Sequence, residues 1–215
     1  MAYRHALRHK SVALTNFSGL LLGIAAAFYI GLFLKNELAF DHMHTRADEL
    51  YRVLVSNPLT GARVVSTSSQ HGQSLVEEFP FTSVCRFGND PVKIGEEQAT
   101  FVQDFYWSDS TFFDFFSFPL LHGDPLTCLD EINSLVITEG LSKQLFGTAA
   151  SLGKVIKVKV YDGDAEFQMK VTGVVAELPR HSHIQFTALG SMANADRLFA
   201  YLIPQLGFSC VRTYL

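Results

Sequence analysis

Apolar side chains divide this 215-residue chain into two parts. Residues 11–34 contain no charged side chain, whereas apolar and polar positions are mixed from Lys35 onward. A helix of these 24 residues would be roughly 36 Å long, and the hydrocarbon core of a bilayer is about 30 Å thick. The pattern therefore predicts one transmembrane helix over residues 11–34, with residues 1–10 before it.

Two other interpretations of this apolar run stay open. Basic residues before the run and the small side chains of Ala25, Ala26 and Ala27 would also suit a cleavable signal peptide. The run continues for seven residues beyond Ala27, however, and it is longer than the usual apolar core of a signal peptide. A buried helix of a soluble protein is the third interpretation, and it is disfavoured because such helices normally carry a polar face. We therefore expect a retained anchor.

Charged residues indicate the orientation of the anchor. Arg4, Arg8 and Lys10 precede the apolar run, and no acidic residue occurs before Lys35. The positive-inside rule then places residues 1–10 in the cytoplasm and everything after the helix outside. From Lys35 onward, 14 basic residues stand against 21 acidic ones, which gives a net charge of −7. An acidic exported domain argues against nucleic acid as a partner.

Small side chains recur at every fourth position of the apolar run: Ser11, Thr15, Gly19, Gly23, Ala27 and Gly31. Rows of this kind let a second helix approach closely, and close packing drives helix association in lipid. The row drifts by about 40° per step, so that one straight partner would contact only part of it. Gly19, Gly23, Ala27 and Gly31 are the predicted helix-packing residues. The alternative is that membrane helices simply tolerate glycine.

The rest of the chain predicts a stalk and one mixed domain. Residues 35–50 are expected to continue the helix as a stalk, and residues 51–215 to form the domain. Runs of β-branched and aromatic residues predict strands, while apolar faces with capping residues predict helices. Their irregular order favours an α+β fold. The predicted strands are 51–56, 82–87, 92–94, 99–106, 134–138, 155–160, 167–175 and 184–189, and the predicted helices are 66–79, 110–116 and 139–146.

Several patterns imitate chemical sites without meeting their requirements. Residues 147–155 resemble a phosphate-binding loop, but the spacing of Gly147 and Gly153 is wrong and Val155 replaces the hydroxyl that would hold magnesium. The pairs His42 with His44 and His181 with His183 lack a third and fourth metal ligand nearby. The acidic residues 162–166 lack a calcium-loop pattern, so that a polar hairpin turn is expected there. We predict no catalytic, cofactor-binding or metal-binding residue.

Three cysteines, Cys85, Cys128 and Cys210, are widely spaced and predict no disulfide framework or metal motif. Other motifs carry fold information. Residues 118–125 combine Phe-Pro with His-Gly-Asp-Pro, which would end an aromatic helix and turn the chain. Gly173, within a β-branched strand, predicts a bulge or a close backbone contact.

An ordered series of motifs resembles the FtsX-like ABC transporter permeases that carry a MacB-like periplasmic core domain. The first of these motifs lies just after the apolar run. The resemblance as a whole covers most of the chain, from the basic N-terminus to about Leu189. Each motif is weak alone, and their common order makes them specific. They are residues 37–41 (ELAFD), His44, 47–48 (AD), 51–53 (YRV), 112–125 (FFDFFSFPLLHGDP), 133–139 (NSLVITE), 145–147 (LFG), 152–154 (LGK), 171–175 (VTGVV), 178–179 (LP) and 181–186 (HSHIQF).

The resemblance implies a permease subunit rather than an enzyme. In such transporters a separate or fused ATPase binds ATP in the cytoplasm, and its motion is transmitted by membrane helices to periplasmic domains for export or efflux. The partners implied are an ABC ATPase subunit, other permease helices or a second permease half, and the membrane. The implied location is the bacterial inner membrane, with the N-terminus cytoplasmic and the main domain periplasmic.

The family permease has further transmembrane helices after its periplasmic domain, and this sequence has none. The chain therefore resembles an N-terminal fragment, truncated near residues 211–215, which look like the beginning of a strand. The main rival interpretation is a single-span membrane receptor whose external α+β domain binds a ligand. It leaves the small-residue row and the ordered motifs unexplained. A secreted or anchored hydrolase is disfavoured because no catalytic constellation is present.

Overall fold

The computed structural model describes residues 10–38, 44, 49–56, 60–65, 74–75, 77–79, 83–96, 99–161, 164–179, 182–202 and 211–215. The chain forms two compact units, Met1–Asp41 and His42–Leu215. The first unit contains the apolar run, and the second contains the predicted domain.

Helix α1 spans Lys10–Leu38, which confirms the predicted helix and extends it by four residues beyond the apolar run. Its side chains are exposed wherever their burial is described. The helix is long and apolar enough to cross a membrane, and it is the only such helix among the residues described. Of the predicted stalk, residues 35–38 are helical, and most of residues 39–48 lie outside the described part.

The strands of the second unit are β1 Val55–Ser56, β2 Arg63–Val64, β3 Cys85–Asn89, β4 Val92–Ile94, β5 Thr100–Val102, β6 Phe105–Ser108, β7 Leu120–His122, β8 Ser134–Thr138, β9 Val155–Val160, β10 Glu166–Val175, β11 Ala188–Ser191 and β12 Val211–Tyr214.

Ten of these strands form a mixed sheet in the order β12-β3-β6-β11-β8-β10-β9-β4-β5, with β7 beside β10. Strands β6 and β11 are parallel, as are β8 and β10, and the other pairs are antiparallel. β1 and β2 form a separate antiparallel pair. This arrangement confirms the predicted α+β class.

Helices α2 (Phe112–Phe115), α3 (Glu139–Phe146) and α4 (Met192–Leu202) accompany the sheet. Strand β8 and helix α3 have the predicted bounds because local signals fix them. The Thr138 hydroxyl accepts a hydrogen bond from the backbone N–H of Leu141 at 3.3 Å and caps α3. Gly147 ends the helix in the left-handed conformation, with φ of 70°.

Two hydrophobic cores lie on opposite faces of the sheet. Successive residues of β8 show this alternation, because Leu135 and Ile137 belong to the first core and Val136 to the second. Helices α3 and α4 cover the first core, which also contains Trp107 of β6. Helix α2 and the segment after it supply the second core with a cluster of aromatic rings: Phe112, Phe113, Phe115, Phe116 and Phe118.

Glycines make two close approaches possible. A Cβ atom at Gly190 would lie 2.5 Å from Cζ3 of Trp107, its partner on the parallel strand, so that glycine leaves the room that this ring needs beside β11. At Gly173 the register between β10 and β8 shifts, which confirms the predicted bulge.

Other predicted elements differ from the structure. The single strand predicted over 99–106 is wrong, because the chain turns at residues 103–104 and forms β5 and β6, which pair with different strands. The strand predicted over 184–189 begins only at Ala188, where the chain meets β6 and β8. Helix α4 and strand β7 were not predicted. Of the helix predicted over 66–79, residues 74, 75, 77 and 78 are helical, and most of the others lie outside the described residues.

Candidate functional site

The segment after α1 joins the domain at one edge of its sheet. The N–H of Tyr51 donates to the carbonyl of Leu215 at 3.0 Å, and the N–H of Leu215 donates back at 2.8 Å. The N–H of Val53 donates to the carbonyl of Thr213 at 2.9 Å. Residues 51–53 therefore run antiparallel to β12. This pairing agrees only in part with the single strand predicted over 51–56. The first segment of the domain is thus bonded to its last strand.

His44 fixes the same segment to the second core. Its side chain is buried, and its ring packs edge-on against Phe116 and Phe118, with centroid distances of 5.5 and 5.2 Å. The Nδ1 atom accepts a hydrogen bond from the backbone N–H of Ser117 at 3.1 Å. Because Nδ1 acts as an acceptor, it carries no proton in this arrangement. The His44 side chain therefore holds the chain six residues after α1 ends.

A buried ion network ties the sheet to two other elements. Arg86 of β3 donates to Asp109, which follows β6, through Nη2 at 2.7 Å and Nε at 2.9 Å. It also donates to Asp196 of α4 through Nη2 at 3.0 Å and Nη1 at 3.1 Å. Burial alone would lower the pKa of the Arg86 guanidinium, but hydrogen bonds and charge from Asp109 and Asp196 raise that pKa above its ordinary value. Arg86 thus stays charged and anchors α4 to β3.

A pair of asparagines holds α4 to the residue before β8, a central strand of the sheet. Asn133, which has φ of 63°, donates from its backbone N–H to Oδ1 of Asn194 at 2.8 Å. The Asn194 amide donates back to Oδ1 of Asn133 at 2.6 Å. These reciprocal bonds position α4 against the start of β8.

The predicted helix-packing residues Gly19, Gly23, Ala27 and Gly31 all lie on α1. A Cβ atom at any of the three glycines would meet no atom within 4 Å, so that space is open for a neighbouring helix. In this single chain nothing occupies that space among the described residues, and the role of the row stays a prediction.

The loop that imitates a phosphate site has another role. Gly147 ends α3, and the backbone N–H of Gly153 donates to the carbonyl of Val171 at 2.7 Å. A phosphate cradle would need such amides to be directed at the anion. The loop instead connects α3 to β9 and fastens to β10.

Histidine and acidic groups do not gather into a metal centre in the described part of the chain. His44 belongs to the aromatic cluster, His183 lies apart from it on the surface, and His42 and His181 fall outside the described residues. Strands β9 and β10 pair antiparallel across residues 161–165, as the predicted hairpin requires, although residues 162 and 163 are not described.

Both described cysteines are buried thiols. Burial raises the pKa of Cys85 to about 12, and a nearby Asp109 carboxylate adds to the shift. Burial also raises the pKa of Cys128 to about 12. A nucleophilic cysteine needs an accessible thiolate, so that these side chains pack rather than react. Cys210 lies outside the described residues.

Clefts open on the described part of the domain, and two of them are lined by charged side chains. The larger, about 520 Å³, lies beside the turn at residues 127–131 and is bordered by Asp130, Glu131, Lys170 and Leu152. Thr172 also borders it, but its hydroxyl donates to the carbonyl of Cys128 at 2.6 Å. The smaller cleft, about 190 Å³, lies between Asp104 and Glu177. The larger cleft is also lined by Thr127, Cys128 and Ser134, and burial keeps the Cys128 thiol protonated by raising its pKa to about 12.

Sequence reasoning missed the residues that hold the domain together. No sequence pattern links Arg86 to its two carboxylate partners, because Asp109 lies 23 positions away and Asp196 lies 110 positions away. His44 had a signal, since it belongs to the motif series, but its burial among aromatic rings was not anticipated.

Three solved structures share this fold. A domain assigned to a permease protein from Porphyromonas gingivalis is 18% identical, with a TM-score of 0.57, and the match covers 78% of this chain and 74% of that one. The periplasmic region of MacB from Actinobacillus actinomycetemcomitans is 15% identical, with a TM-score of 0.50 and coverage of 77% and 73%. The extracellular domain of the ABC-type transporter YknZ from Gram-positive bacteria is 15% identical, with a TM-score of 0.50 and coverage of 78% and 81%. At these identities the likeness shows the fold alone.

No curated protein matches the chain. The family described as the MacB-like periplasmic core domain matches residues 13–208, which include most of α1 and nearly all of the domain. This match agrees with the ordered motifs and with the fold of the three solved structures. The chain therefore belongs to the MacB-like periplasmic core domain family.

Proposed function

We propose that this chain belongs to a permease subunit of an ABC transporter of the mechanotransmission type. In this proposal α1 crosses the bacterial inner membrane with its N-terminus in the cytoplasm, and the domain lies in the periplasm. A partner ATPase binds and hydrolyses ATP, and the resulting helix motion displaces the domain. Export or efflux is the proposed direction of transport.

The observation that carries this proposal is the attachment of the chain after α1. Six residues beyond Leu38, His44 is buried in the second core, and residues 51–53 are hydrogen-bonded to β12. A segment held by core packing and by three backbone hydrogen bonds resists being pulled away from the sheet. We propose that movement of α1 is passed to the sheet through this attachment at His44 and residues 51–53.

Association with other membrane helices is the second part of the proposal. The row Gly19, Gly23, Ala27 and Gly31 has open space above it, and close backbone approach is what small residues permit in lipid. Other permease helices, or those of a second permease half, would occupy that space. A solitary anchor has no use for it.

We also propose that the chain itself performs no catalysis and binds no ATP. The Gly147-to-Lys154 loop uses its Gly153 amide to bond β10, and the described cysteines are buried with raised pKa values. Nucleotide chemistry would then belong to the ATPase subunit alone.

Copurification with an ATPase tests this proposal. The full-length subunit is expressed in the source bacterium and purified through a tag on the subunit, and P-loop ATPases that copurify are identified by mass spectrometry. We expect the ATPase to be retained and its hydrolysis rate to change when the subunit is present. A purified subunit that holds no ATPase but binds a metabolite tightly would contradict the proposal and favour the single-span receptor.

A further inference from the structure

The larger cleft of the domain is bounded by polar side chains from two strands and two turns. The sheet forms its floor, where Ser134 of β8 lies beside Lys170 of β10 in their parallel register. The turns at residues 127–131 and 152–153 form its walls. Its volume of about 520 Å³ is within the range of about 300–1,000 Å³ that is usual for small-molecule sites. We call it the β8–β10 cleft.

Strand alternation places Ser134 and Lys170 on the cleft side of the sheet. The next residues along the two strands, Leu135 and Val171, are paired with each other and belong to the first core. Ser134 and Lys170 therefore face the opposite side of the sheet. The second core lies on that side, and Val136 of β8 belongs to it. The cleft thus lies at the end of the second core, on the same face of the sheet.

The Ser134 hydroxyl is the group that points to a ligand. Ser134 is only 2% exposed and lines the cleft, and its hydroxyl forms no hydrogen bond with another described residue. Its backbone N–H, by contrast, donates to the carbonyl of Glu131 at 3.2 Å. A hydroxyl withdrawn from bulk water without a protein partner carries a free-energy cost. A polar ligand in the cleft would remove that cost.

Hydrogen bonds hold both walls of the cleft to its floor. The Thr172 hydroxyl donates to the carbonyl of Cys128 at 2.6 Å, which fixes the turn at residues 127–131 against β10. The backbone N–H of Gly153 donates to the carbonyl of Val171 at 2.7 Å, which fixes the opposite turn to the same strand. A ligand would therefore meet walls that are already in place, and little binding energy would be spent on ordering them.

Charges of both signs border the cleft without neutralising each other. Asp130 and Glu131 lie on one wall and Lys170 on the floor, and all three are exposed. None of them forms an ion pair or a side-chain hydrogen bond with another described residue. Opposite charges held apart around one cleft are complementary to a ligand that carries both charges. Leu152, which is 52% exposed, adds an apolar surface on the second wall.

We propose that the β8–β10 cleft binds a small zwitterion, either a free amino acid or a short peptide, with an apolar side chain. Its ammonium group pairs with Asp130 and Glu131, and its carboxylate pairs with Lys170 and accepts a hydrogen bond from the Ser134 hydroxyl. Its apolar side chain covers Leu152. Hydrogen bonds to ionised groups are about twice as strong as those between neutral groups.

A divalent cation fits the cleft less well than a zwitterion. The described residues contain no group of three or more histidine, cysteine or acidic side chains that could hold a metal ion. Calcium takes six to eight oxygen ligands, and Asp130 and Glu131 are the two carboxylates that line the cleft. The ammonium of Lys170 would also oppose a cation on the floor.

Isothermal titration calorimetry of the full chain tests the proposal. L-leucine and leucylleucine are the zwitterionic probes, L-leucinamide lacks the carboxylate, and 4-methylpentanoate lacks the ammonium group. Ser134→Ala, Glu131→Gln and Lys170→Gln each remove one contact. Ser191→Ala and Lys143→Gln are the matched controls, because Ser191 is 3% exposed, the Lys143 side chain is 58% exposed, and neither lines the cleft.

We expect at least one of the two zwitterions to bind, and each of the three cleft variants to weaken that binding about tenfold. The two control variants should leave it unchanged. L-leucinamide and 4-methylpentanoate should bind about tenfold more weakly than the zwitterion, since each lacks one charged contact. The proposal is overturned if neither zwitterion gives saturable heat, if the cleft variants bind as well as the native chain, or if either control ligand binds as well as the zwitterion.

This inference concerns the second unit alone, so that its failure is distinguishable from failure of the proposed function. ATPase copurification should be the same for Lys170→Gln as for the native chain, because the cleft is assigned no part in ATPase binding. Absence of zwitterion binding with the ATPase retained would overturn the cleft proposal alone. Loss of the ATPase from a native chain that still binds the zwitterion would count against the proposed function alone.

Discussion

Arg52 lies directly opposite Tyr214 in an antiparallel bridge between the first segment of the domain and its last strand. The hydrogen bonds of Val53 to Thr213 and of Leu215 to Tyr51 flank this pair, so that Arg52 and Tyr214 form a non-hydrogen-bonded pair. Such pairs have Cα atoms about 4.5 Å apart, with both side chains on the same face. Residues 51–53 and 213–215 are thus in register.

A disulfide should form at this bridge. Arg52→Cys with Tyr214→Cys, in a Cys210→Ser background, brings together two residues whose spacing fits the range of about 4.4–6.8 Å that disulfides need. Because the bond closes most of the domain into one loop, we expect the oxidised protein to gain about 2–4 kcal/mol in its free energy of unfolding. Urea unfolding of oxidised and reduced protein measures the difference.

The matched control moves one cysteine along β12. Arg52→Cys with Arg212→Cys is a diagonal pair whose Cα atoms should be about 7–8 Å apart, which is too far for an unstrained bond. If this diagonal pair were oxidised as readily as the direct pair, or if oxidation of the direct pair destabilised the domain, the bridge would be wrong.

Removal of the guanidinium at Arg86 should destabilise the domain strongly. Arg86→Met leaves Asp109 and Asp196 without their shared cation in a site where the arginine side chain is only 9% exposed. Breaking a buried ion pair from one side costs about 3–5 kcal/mol, and the partial exposure of Asp196 places our expectation at the lower end. Urea unfolding gives the value.

An exposed ion pair provides the comparison. Lys143 contacts Glu139 on α3, and its side chain is 58% exposed. Lys143→Met should change the free energy of unfolding by less than about 0.5 kcal/mol, since solvent screens the pair. Equal losses for Arg86→Met and Lys143→Met would show that the Arg86 network does not anchor α4.

The sequence predicts the bounds of elements that have local signals. It does not predict the bounds of elements that depend on pairing with distant residues. Strand β8 and helix α3 have their predicted bounds, because Thr138 and Gly147 cap the helix within the segment itself. The strand predicted over 99–106 divides in two because β5 pairs with β4 while β6 pairs with β3 and β11, which is a matter of topology. Residue pattern alone cannot supply that information.

The same distinction holds for the candidate functional residues: some have a local sequence signal, and others are brought together only by the fold. The apolar run and its small residues are visible in the sequence, since membrane insertion depends on composition along one segment. The Arg86 network joins three segments that are distant in the sequence, so that no local pattern indicates it. His44 was visible as part of a motif, but only the fold brings it to Phe116 and Phe118.

Both described thiols should be unreactive in the folded protein. Burial raises the pKa of Cys85 and of Cys128 to about 12, so that neither forms a thiolate at neutral pH. In a Cys210→Ser background, Ellman's reagent at pH 8 should react with both thiols only after unfolding in guanidinium. Rapid reaction of two thiols in the native protein would contradict their burial.

The raised pKa values of the same thiols predict that the domain becomes less stable as the pH rises above 9. The unfolded thiols ionise near 9.0 and the folded ones near 12, so that the unfolded chain binds fewer protons in between. The contribution of protonated thiols is fully present below pH 9 and is lost as the pH rises toward 12. Cys85→Ala should reduce the slope of unfolding free energy against pH in this range, and an unchanged slope would contradict the assignment.

Bulk added to the small-residue row should weaken assembly of the transporter. Ala27→Leu fills the open side of α1, whereas Ala25→Leu makes the same change about 200° away around the helix. We expect Ala27→Leu to lower the ATPase recovered with the full-length subunit severalfold, since close packing drives association in lipid. Equal recovery with the two variants would mean that the row is not an interface.

The position of the domain relative to the membrane tests the account most directly. Leu126→Cys places an accessible thiol on the domain, where the native side chain is 66% exposed, and Arg8→Cys places one before α1. Spheroplasts are treated with a membrane-impermeant maleimide in the Cys210→Ser background. We predict that the thiol at position 126 is modified in intact spheroplasts and the thiol at position 8 only after lysis. Modification at position 8 alone, or a mature protein that lacks residues 11–34, would contradict a membrane-anchored domain outside the cytoplasm.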